Sequence, residues 1–527
     1  MRTGGEVAVE CLAAHGVELV FGIPGTHNLP LYAQLERHGI RHVSPRHEQG
    51  AGYAADGYAR ASGRPGVVIT TAGPALLNAA VAAGQAQSDS VPLLVLAPGM
   101  PRAHPSASSG YLHEMPSQQR AMSGVVERSV RVMSHAELAG ELAAAFTAFR
   151  TARPRARYVE IPLDMLAEEA DAVVPEPQHA GPPAPASAAL AAAVEVLRAG
   201  ERPGIVAGGG VVGAPDALRA LAERLGAPVI TSANGKGALP EDHALSLGAR
   251  LNLPAARTWL EECDVVLAVG TELGESDLWG PPLSLSGALI RVDIDPLQAH
   301  ANHVATVAVI GDAAAALAGL VDALDGSPGA AADPSVAAEL RARLDVQYRT
   351  QAAPWLDWLA ALDGALPGDA IVAGDSAMCC YYGAIGGLPV RRPRSFLYPT
   401  GFGTLGYAVP AALGAKLGAP DRPVLALSGD GGLMFTVAEL ASAAALRLPL
   451  PVVVFVNDGY GEIRNEMEDA GFAPVGVELP APDLPALAAA LGCAGIGIAE
   501  PSELGPAIRD AFARDVPTLI TVPEAPR

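Results

Sequence analysis

A chain of 527 residues is long enough for about three domains of ordinary size. None of its apolar stretches approaches the ~20 residues of a membrane span, and a net charge of −21 turns it away from nucleic acid and anionic membranes as main partners. Its five cysteines (Cys11, Cys263, Cys379, Cys380, Cys493) form no metal-spaced set, so reduced, packed thiols are expected.

The first helical pattern carries Glu6 and Glu10, unlike the basic-then-apolar layout of a secretion signal, and a cytoplasmic protein is expected. Arg46-His47-Glu48-Gln49-Gly50 opens a helix that continues through Arg60. Pro45 stands in position for its first turn, and Glu48 suits the positive end of the helix dipole. The continuous apolar runs Val67 to Thr71 and Leu93 to Ala97 read as buried parallel strands. A Pro/Ala-rich linker, Pro175 to Ser187, then leads into a middle block. There a strand runs from Pro203 into Gly208-Gly209-Gly210, followed by the segments Val265 to Gly270 and Arg291 to Asp295. These resemble a nucleotide-binding sheet, but the full G-x-G-x-x-G spacing is absent, and a structural role for the glycines is at least as good a reading. A second breaker-rich stretch, Asp325 to Pro334, precedes the last block. The expected architecture is α/β, with three doubly wound parallel-sheet domains at 1–168, 188–325 and 350–527.

The last block is the most informative. An apolar run (Pro423 to Leu427), the turn Ser428-Gly429-Asp430-Gly431-Gly432, a helix-like stretch (Phe435 to Leu446), a β-branched run (Val452 to Val456) and Asn457-Asp458-Gly459 read as one β-α-β unit. Such a unit puts Asp430 and Asn457 at the carboxyl ends of neighbouring strands, the edge where doubly wound sheets bind ligands. A carboxylate, an amide oxygen and a main-chain carbonyl suit Mg²⁺ and leave its other positions to phosphate oxygens and water. Gly431 and Gly432 let the backbone approach a phosphate at a helix N-terminus.

Together with these residues, Gly22-Ile-Pro-Gly25, Arg46-His-Glu-Gln49, Thr71-Ala-Gly-Pro74 with Asn78, Asp89-Ser-Val-Pro92, Asp293-Ile-Asp-Pro296 and Gly401-Phe-Gly-Thr-Leu-Gly406 span nearly the whole chain. In these motifs the chain resembles the thiamine-diphosphate enzymes that include acetolactate synthase, benzoylformate decarboxylase and pyruvate oxidase. The resemblance implies pyrimidine-binding, central and diphosphate-binding domains. It implies that Glu48 hydrogen-bonds N1′ of the aminopyrimidine, a task that needs a poorly solvated carboxyl of raised pKa. Leu405 matches the apolar wedge that bends the cofactor, and Asp430, Asn457 and the Gly459 carbonyl match the Mg²⁺ ligands. Further cofactor contacts are implied at Gly25, Pro74, Asn78, Gly374, Asp375, Ser376, Gly403, Gly429, Gly431, Gly432, Tyr460, Gly461 and Glu462. Active sites are implied at the subunit interface of a homodimer or homotetramer, with Glu48 of one subunit against Asp430 of another.

The implied substrate is a small 2-oxo acid. After loss of CO₂, protonation makes a decarboxylase, condensation with a second carbonyl a carboligase, and oxidation needs flavin or another acceptor. Glu272-Leu-Gly-Glu275-Ser276 stands where flavin-dependent members carry Phe-Asp-Asp-Arg, which weighs against FAD, and Ala75 replaces a usual glycine. His27 and His113 are the candidate proton-handling residues. Glu114 and Glu462 are the acids expected to meet a cationic substrate tail, whereas Glu466, Glu468 and Asp469 read as a solvated helix face. The chain looks most like the subgroup that decarboxylates 5-guanidino-2-oxopentanoate. The alternatives are an acetolactate-synthase-type carboligase and a cofactor-binding homologue without activity.

Overall fold

The computed structural model describes residues 1–104, 108–177, 180–325 and 334–524. Most of the stretch Asp325 to Pro334, and part of the Pro175 to Ser187 linker, lie outside the described residues. Three parallel sheets carry the architecture. The first orders Arg41–Val43, Leu19–Gly22, Gly66–Ile69, Leu93–Gly99, Arg157–Pro162 and Arg128–Arg131. The central sheet orders Val229–Thr231, Pro203–Ala207, Val265–Val269, Ala288–Asp293 and Val307–Ile310. The third orders Phe396–Leu397, Ile371–Gly374, Val424–Gly429, Pro451–Val456, Thr518–Pro523 and Ala494–Gly497. A short antiparallel pair, Arg2–Thr3 with Glu169–Ala170, ties the start of the chain to the end of the first unit.

Continuous apolar strands arise because both faces of each sheet are covered. In the first sheet Val68, Leu93 and Val95 enter one core, while Val67, Leu94 and Leu96 enter another. The core that takes Val68 and Val95 also takes Ala373, Ala426 and Val454 of the third sheet. The two sheets are joined by the helices Glu48–Ser62 and Ala408–Gly418, which pack at close range. Glycines permit that approach: a Cβ on Gly57 would lie 2.1 Å from the Ala411 carbonyl oxygen, and one on Gly414 1.8 Å from that of Ala54. In the central unit a Cβ on Gly208 would lie 2.2 Å from the Gly270 oxygen, so this glycine lets two strand-end turns pack together.

Two expected elements differ in detail. The helix after Pro45 begins at Glu48, because His47 is extended and its Nδ1 accepts the Gln49 N–H at 3.1 Å as an N-cap. The expected helix Phe435 to Leu446 is a short turn of helix at Asp430–Leu433, a run of turns, and then Glu439–Ala445. Distant partners hold that irregular stretch: Thr436 donates its hydroxyl to the Gly406 carbonyl at 2.7 Å, and Glu439 accepts the main-chain N–H groups of Arg46 and His47. Among the described residues no helix is long and apolar enough to cross a membrane. All five cysteines are buried free thiols.

Candidate active site

Strands Val424–Gly429 and Pro451–Val456 pair in parallel with Gly429 opposite Phe455, which delivers Asp430 and Asn457 side by side at one sheet edge. Asp430 is 3% exposed, and its Oδ2 accepts the Asp458 N–H at 2.9 Å. Burial raises its pKa, and main-chain N–H groups of Gly431, Asn457 and Asp458 oppose that rise. Asn457 donates its side-chain N–H to Glu524 Oε2 at 2.5 Å, and its Oδ1 is buried without a protein partner. Asp458 (φ 60°) and Gly459 (φ 151°) turn the chain sharply, and the segment Val477 to Leu479 clips that turn through two main-chain bonds. A side chain on Gly459 would strike the Val477 oxygen at 2.0 Å. The Gly459 carbonyl oxygen comes within 3.0 Å of where a Cβ on Gly431 would stand, as does the Tyr460 ring. Among the described residues no three His, Cys, Asp or Glu side chains cluster as metal ligands. The candidate set is one carboxylate, one amide oxygen and one carbonyl, and an orphaned buried Oδ1 is the state that a bound cation would satisfy.

Behind this edge, Gly374 ends a strand and Gly461 opens the helix Gly461–Asp469 after Tyr460, where a Cβ would press on Asn457 Nδ2 at 2.8 Å. Asp375 is engaged by protein groups at both carboxylate oxygens. It is 1% exposed, and its Oδ1 accepts the N–H groups of Ser376, Gly406 and Tyr407 while its Oδ2 accepts the Ser428 hydroxyl. A carboxylate so engaged positions the loop Gly403–Gly406 from beneath. Gly432 packs against it, a Cβ there lying 3.2 Å from Asp375 Oδ2. Gly403 (φ 63°) and Gly406 (φ 81°) bend that loop, and Leu405 between them is half-buried. Main-chain N–H groups of Thr400 and Gly401 bind Asp89, which also accepts Arg60 Nη2 at 2.8 Å.

The first domain supplies the second group. Glu48 is the first residue of its helix, and its Oε2 accepts Asn78 Nδ2 at 3.0 Å. Asn78 lies on the helix Pro74–Ser88, whose Gly73 cap (φ 65°) leaves no room for a Cβ beside the His113 carbonyl. Gly25 donates its N–H to Asn28 Oδ1 at 2.7 Å and so shapes the loop of His27. The rings of His27 and His113 meet edge-on at 5.0 Å, and the Nδ1 of each is buried without a partner. Burial and the neighbouring His113 lower the pKa of His27. His113 holds a left-handed backbone (φ 62°), unusual for a side chain of its size.

Glu114 is engaged by its own loop. Its carboxylate accepts His104 Nε2 at 2.7 Å and the N–H groups of Ser109, Gly110 and Tyr111, and these bonds hold it down at about 2. Glu462 is bound by the Tyr382 hydroxyl. Among the described residues no hydrogen bond or ion pair joins Glu48, His27 or His113 to the Asp430 group. Sequence reasoning missed Glu524, Tyr382 and Arg60, because each is tied to the site only by contacts distant in the chain.

Models of the thiamine pyrophosphate enzymes match in three successive pieces: the N-terminal TPP-binding domain over residues 2–122, the central domain over 190–320 and the C-terminal TPP-binding domain over 376–522. The chain is 44% identical over 532 residues to a Pseudomonas aeruginosa protein named probable 2-ketoarginine decarboxylase, covering 99% of this chain and 94% of that one. It is 33% identical over 551 residues to the acetolactate synthase large subunit of Parasynechococcus marenigrum, covering 99% and 87%. It is 30% identical over 477 residues to acetolactate synthase isozyme 1 large subunit of Escherichia coli, covering 88% and 83%. The chain therefore belongs to the thiamine pyrophosphate enzymes.

Proposed function

We propose that this protein is a Mg²⁺-dependent, non-oxidative decarboxylase of 5-guanidino-2-oxopentanoate, working as a homodimer or homotetramer. The observation that carries the substrate is the full-length likeness, at 44% identity, to a protein named for that keto acid of arginine. The orphaned Asn457 Oδ1 beside Asp430, with the Gly459 carbonyl close by, supports the cation.

When bound, thiamine diphosphate supplies a nucleophilic thiazolium carbon and an electron sink for the loss of CO₂. Asp430, Asn457 and the Gly459 carbonyl would hold Mg²⁺, and Gly431 and Gly432, having no side chains, would leave room for the diphosphate. Glu48, steadied by Asn78, would hold a proton at the pyrimidine N1′. Leu405, set between two glycines of positive φ, would pack against the cofactor. Burial, and then the neighbouring His113, lower the pKa of His27 and so favour its neutral form, in which the unpaired Nδ1 would offer a hydrogen bond rather than a charge. Paired with His113, His27 would hold the substrate carboxylate by hydrogen bonds, and a proton taken up from water would reach the carbon that loses CO₂ through His113.

A carboligase is the competing reading, supported by the likeness to acetolactate synthases. Purified protein with Mg²⁺ and cofactor, given a panel of 2-oxo acids, separates the two by product. Release of CO₂ and 4-guanidinobutanal from the guanidino acid is expected. Faster turnover of pyruvate or branched 2-oxo acids, with acetolactate or acetoin formed, overturns the proposal.

A further inference from the structure

A cavity of about 350 Å³ opens between the central and third domains, within the size range of small-ligand sites. Its lining includes Ser376, Gly401 and Gly403, on the loops implicated in holding the cofactor, and Glu275, Asp277, Trp279 and Tyr381. Its chemistry is anionic and aromatic, and no arginine or lysine lines it.

The aromatic part is built. Trp279 meets Tyr381 edge-on at 6.1 Å and Tyr382 at 5.6 Å, and the two tyrosines meet at 4.7 Å. Tyr382 stacks in turn on Trp355 and donates its hydroxyl to Glu462, so the wall continues toward the helix that follows the metal loop. Trp279 is 41% exposed and takes a left-handed backbone (φ 48°), which a bulky side chain rarely adopts. Two bonds hold it there: its N–H reaches the Glu275 carbonyl at 2.8 Å and its indole Nε1 the Ser276 carbonyl at 3.2 Å. Strain of this kind persists where the surroundings over-determine it, often at ligand clamps.

The acids are placed for a cation. Glu275 is exposed. Asp277 accepts the Ala233 N–H, while burial, and then the charges of Asp89 and Glu272, push its carboxyl up to about 7. A planar guanidinium pairs with carboxylates through parallel N–H bonds and stacks on indole and phenol faces.

We infer that this cavity receives the cationic tail of the substrate, with Glu275 and Asp277 as its anionic partners and Trp279 and Tyr381 as its aromatic wall. The inference rests on the proposed 2-oxo acid chemistry and gives the tail a place apart from Glu114, which is engaged by its own loop.

The test uses the holoenzyme and its Glu275→Gln and Trp279→Leu variants. Two quantities are measured: the ratio of kcat/KM for 5-guanidino-2-oxopentanoate to that for 2-oxopentanoate, and the calorimetric Kd of 4-guanidinobutanoate, a probe that carries the tail but cannot react. Each variant is expected to lower the ratio by about tenfold, through KM, and to weaken the probe to a similar degree. A parent enzyme that prefers the guanidino acid, with variants that keep both its ratio and its probe affinity, overturns the pocket and leaves the proposed function standing. A parent enzyme with no preference for the guanidino acid overturns both.

Discussion

Asn457 gives its amide N–H to Glu524 Oε2, and that bond decides which end of the amide faces the candidate metal site. Glu524 is itself fixed from the other side by the indole Nε1 of Trp355 at 2.5 Å. Outer partners that orient a ligand typically change metal affinity by about 10–100-fold when removed. Glu524→Ala is therefore expected to weaken Mg²⁺ by that order, read as the Mg²⁺ concentration needed for half-maximal thiamine diphosphate binding. Glu524→Gln keeps an acceptor oxygen and should weaken it less. An unchanged Mg²⁺ midpoint in the alanine variant would show that Asn457 does not depend on this bond.

Glu48 carries a different expectation, because its task is chemical rather than adhesive. A glutamine in its place can still accept the Asn78 N–H but cannot supply a carboxyl for N1′. Cofactor affinity measured by calorimetry should change by only a few-fold, while turnover should fall by at least about 100-fold. Full activity in Glu48→Gln would refute the role given to this residue.

Asp89 joins the first and third domains through one buried side chain, and Arg60 extends the link to the central domain. It accepts Arg60, Gln85 and the main-chain N–H groups of Thr400 and Gly401, while Arg60 also reaches Asp56 and Asn234. Removing one partner of a buried ion pair leaves an uncompensated charge and costs about 3–5 kcal/mol. Asp89→Ala should lower the urea midpoint by a corresponding amount and loosen the loop that carries Leu405, so that cofactor affinity falls with stability. A loss below about 1 kcal/mol would mean that Arg60 finds sufficient partners without it.

What the sequence made legible follows from the range of the interactions involved. Parallel strands were readable because both faces are buried and the apolar runs are unbroken, as at Leu93–Gly99. Asp430 and Asn457 were readable because a single β-α-β unit fixes their relation. The helix expected from Phe435 was misjudged because Thr436 and Glu439 are held by Gly406, Arg46 and His47, partners that no local pattern reveals. The same limit applies at Glu114: its acidity is legible in the sequence, whereas the loop that binds its oxygens closes only in three dimensions.

His27 should leave a signature in the acid stability of the protein. Burial, and then the neighbouring His113, lower its pKa from the ordinary 6.5. An imidazole of depressed pKa binds fewer protons folded than unfolded, so acid favours unfolding. The penalty is complete below the folded pKa and disappears as pH rises past about 6.5. His27→Gln, measured by thermal melts at about pH 7 and pH 5, should lose less Tm on acidification than the parent. Equal losses in the two proteins would show that His27 is solvated enough to titrate normally.

Gly57 and Gly414 test how the first and third domains are held together. Alanine in a helix is ordinarily more stable than glycine by about 1 kcal/mol, so a permissive site would gain from the exchange. Here the new Cβ would lie 2.1 Å from the Ala411 carbonyl oxygen or 1.8 Å from that of Ala54, and in both cases the obstacle is backbone rather than a side chain that can turn aside. Forcing a helix pair apart outweighs the propensity gain, and a net loss of about 1–3 kcal/mol is expected for Gly57→Ala and for Gly414→Ala. Because the same helix begins at Glu48 and the other follows Leu405, the displacement should also raise the cofactor concentration needed for activity. A gain in Tm with unchanged cofactor demand would mean that the two helices can separate without consequence for the site between them.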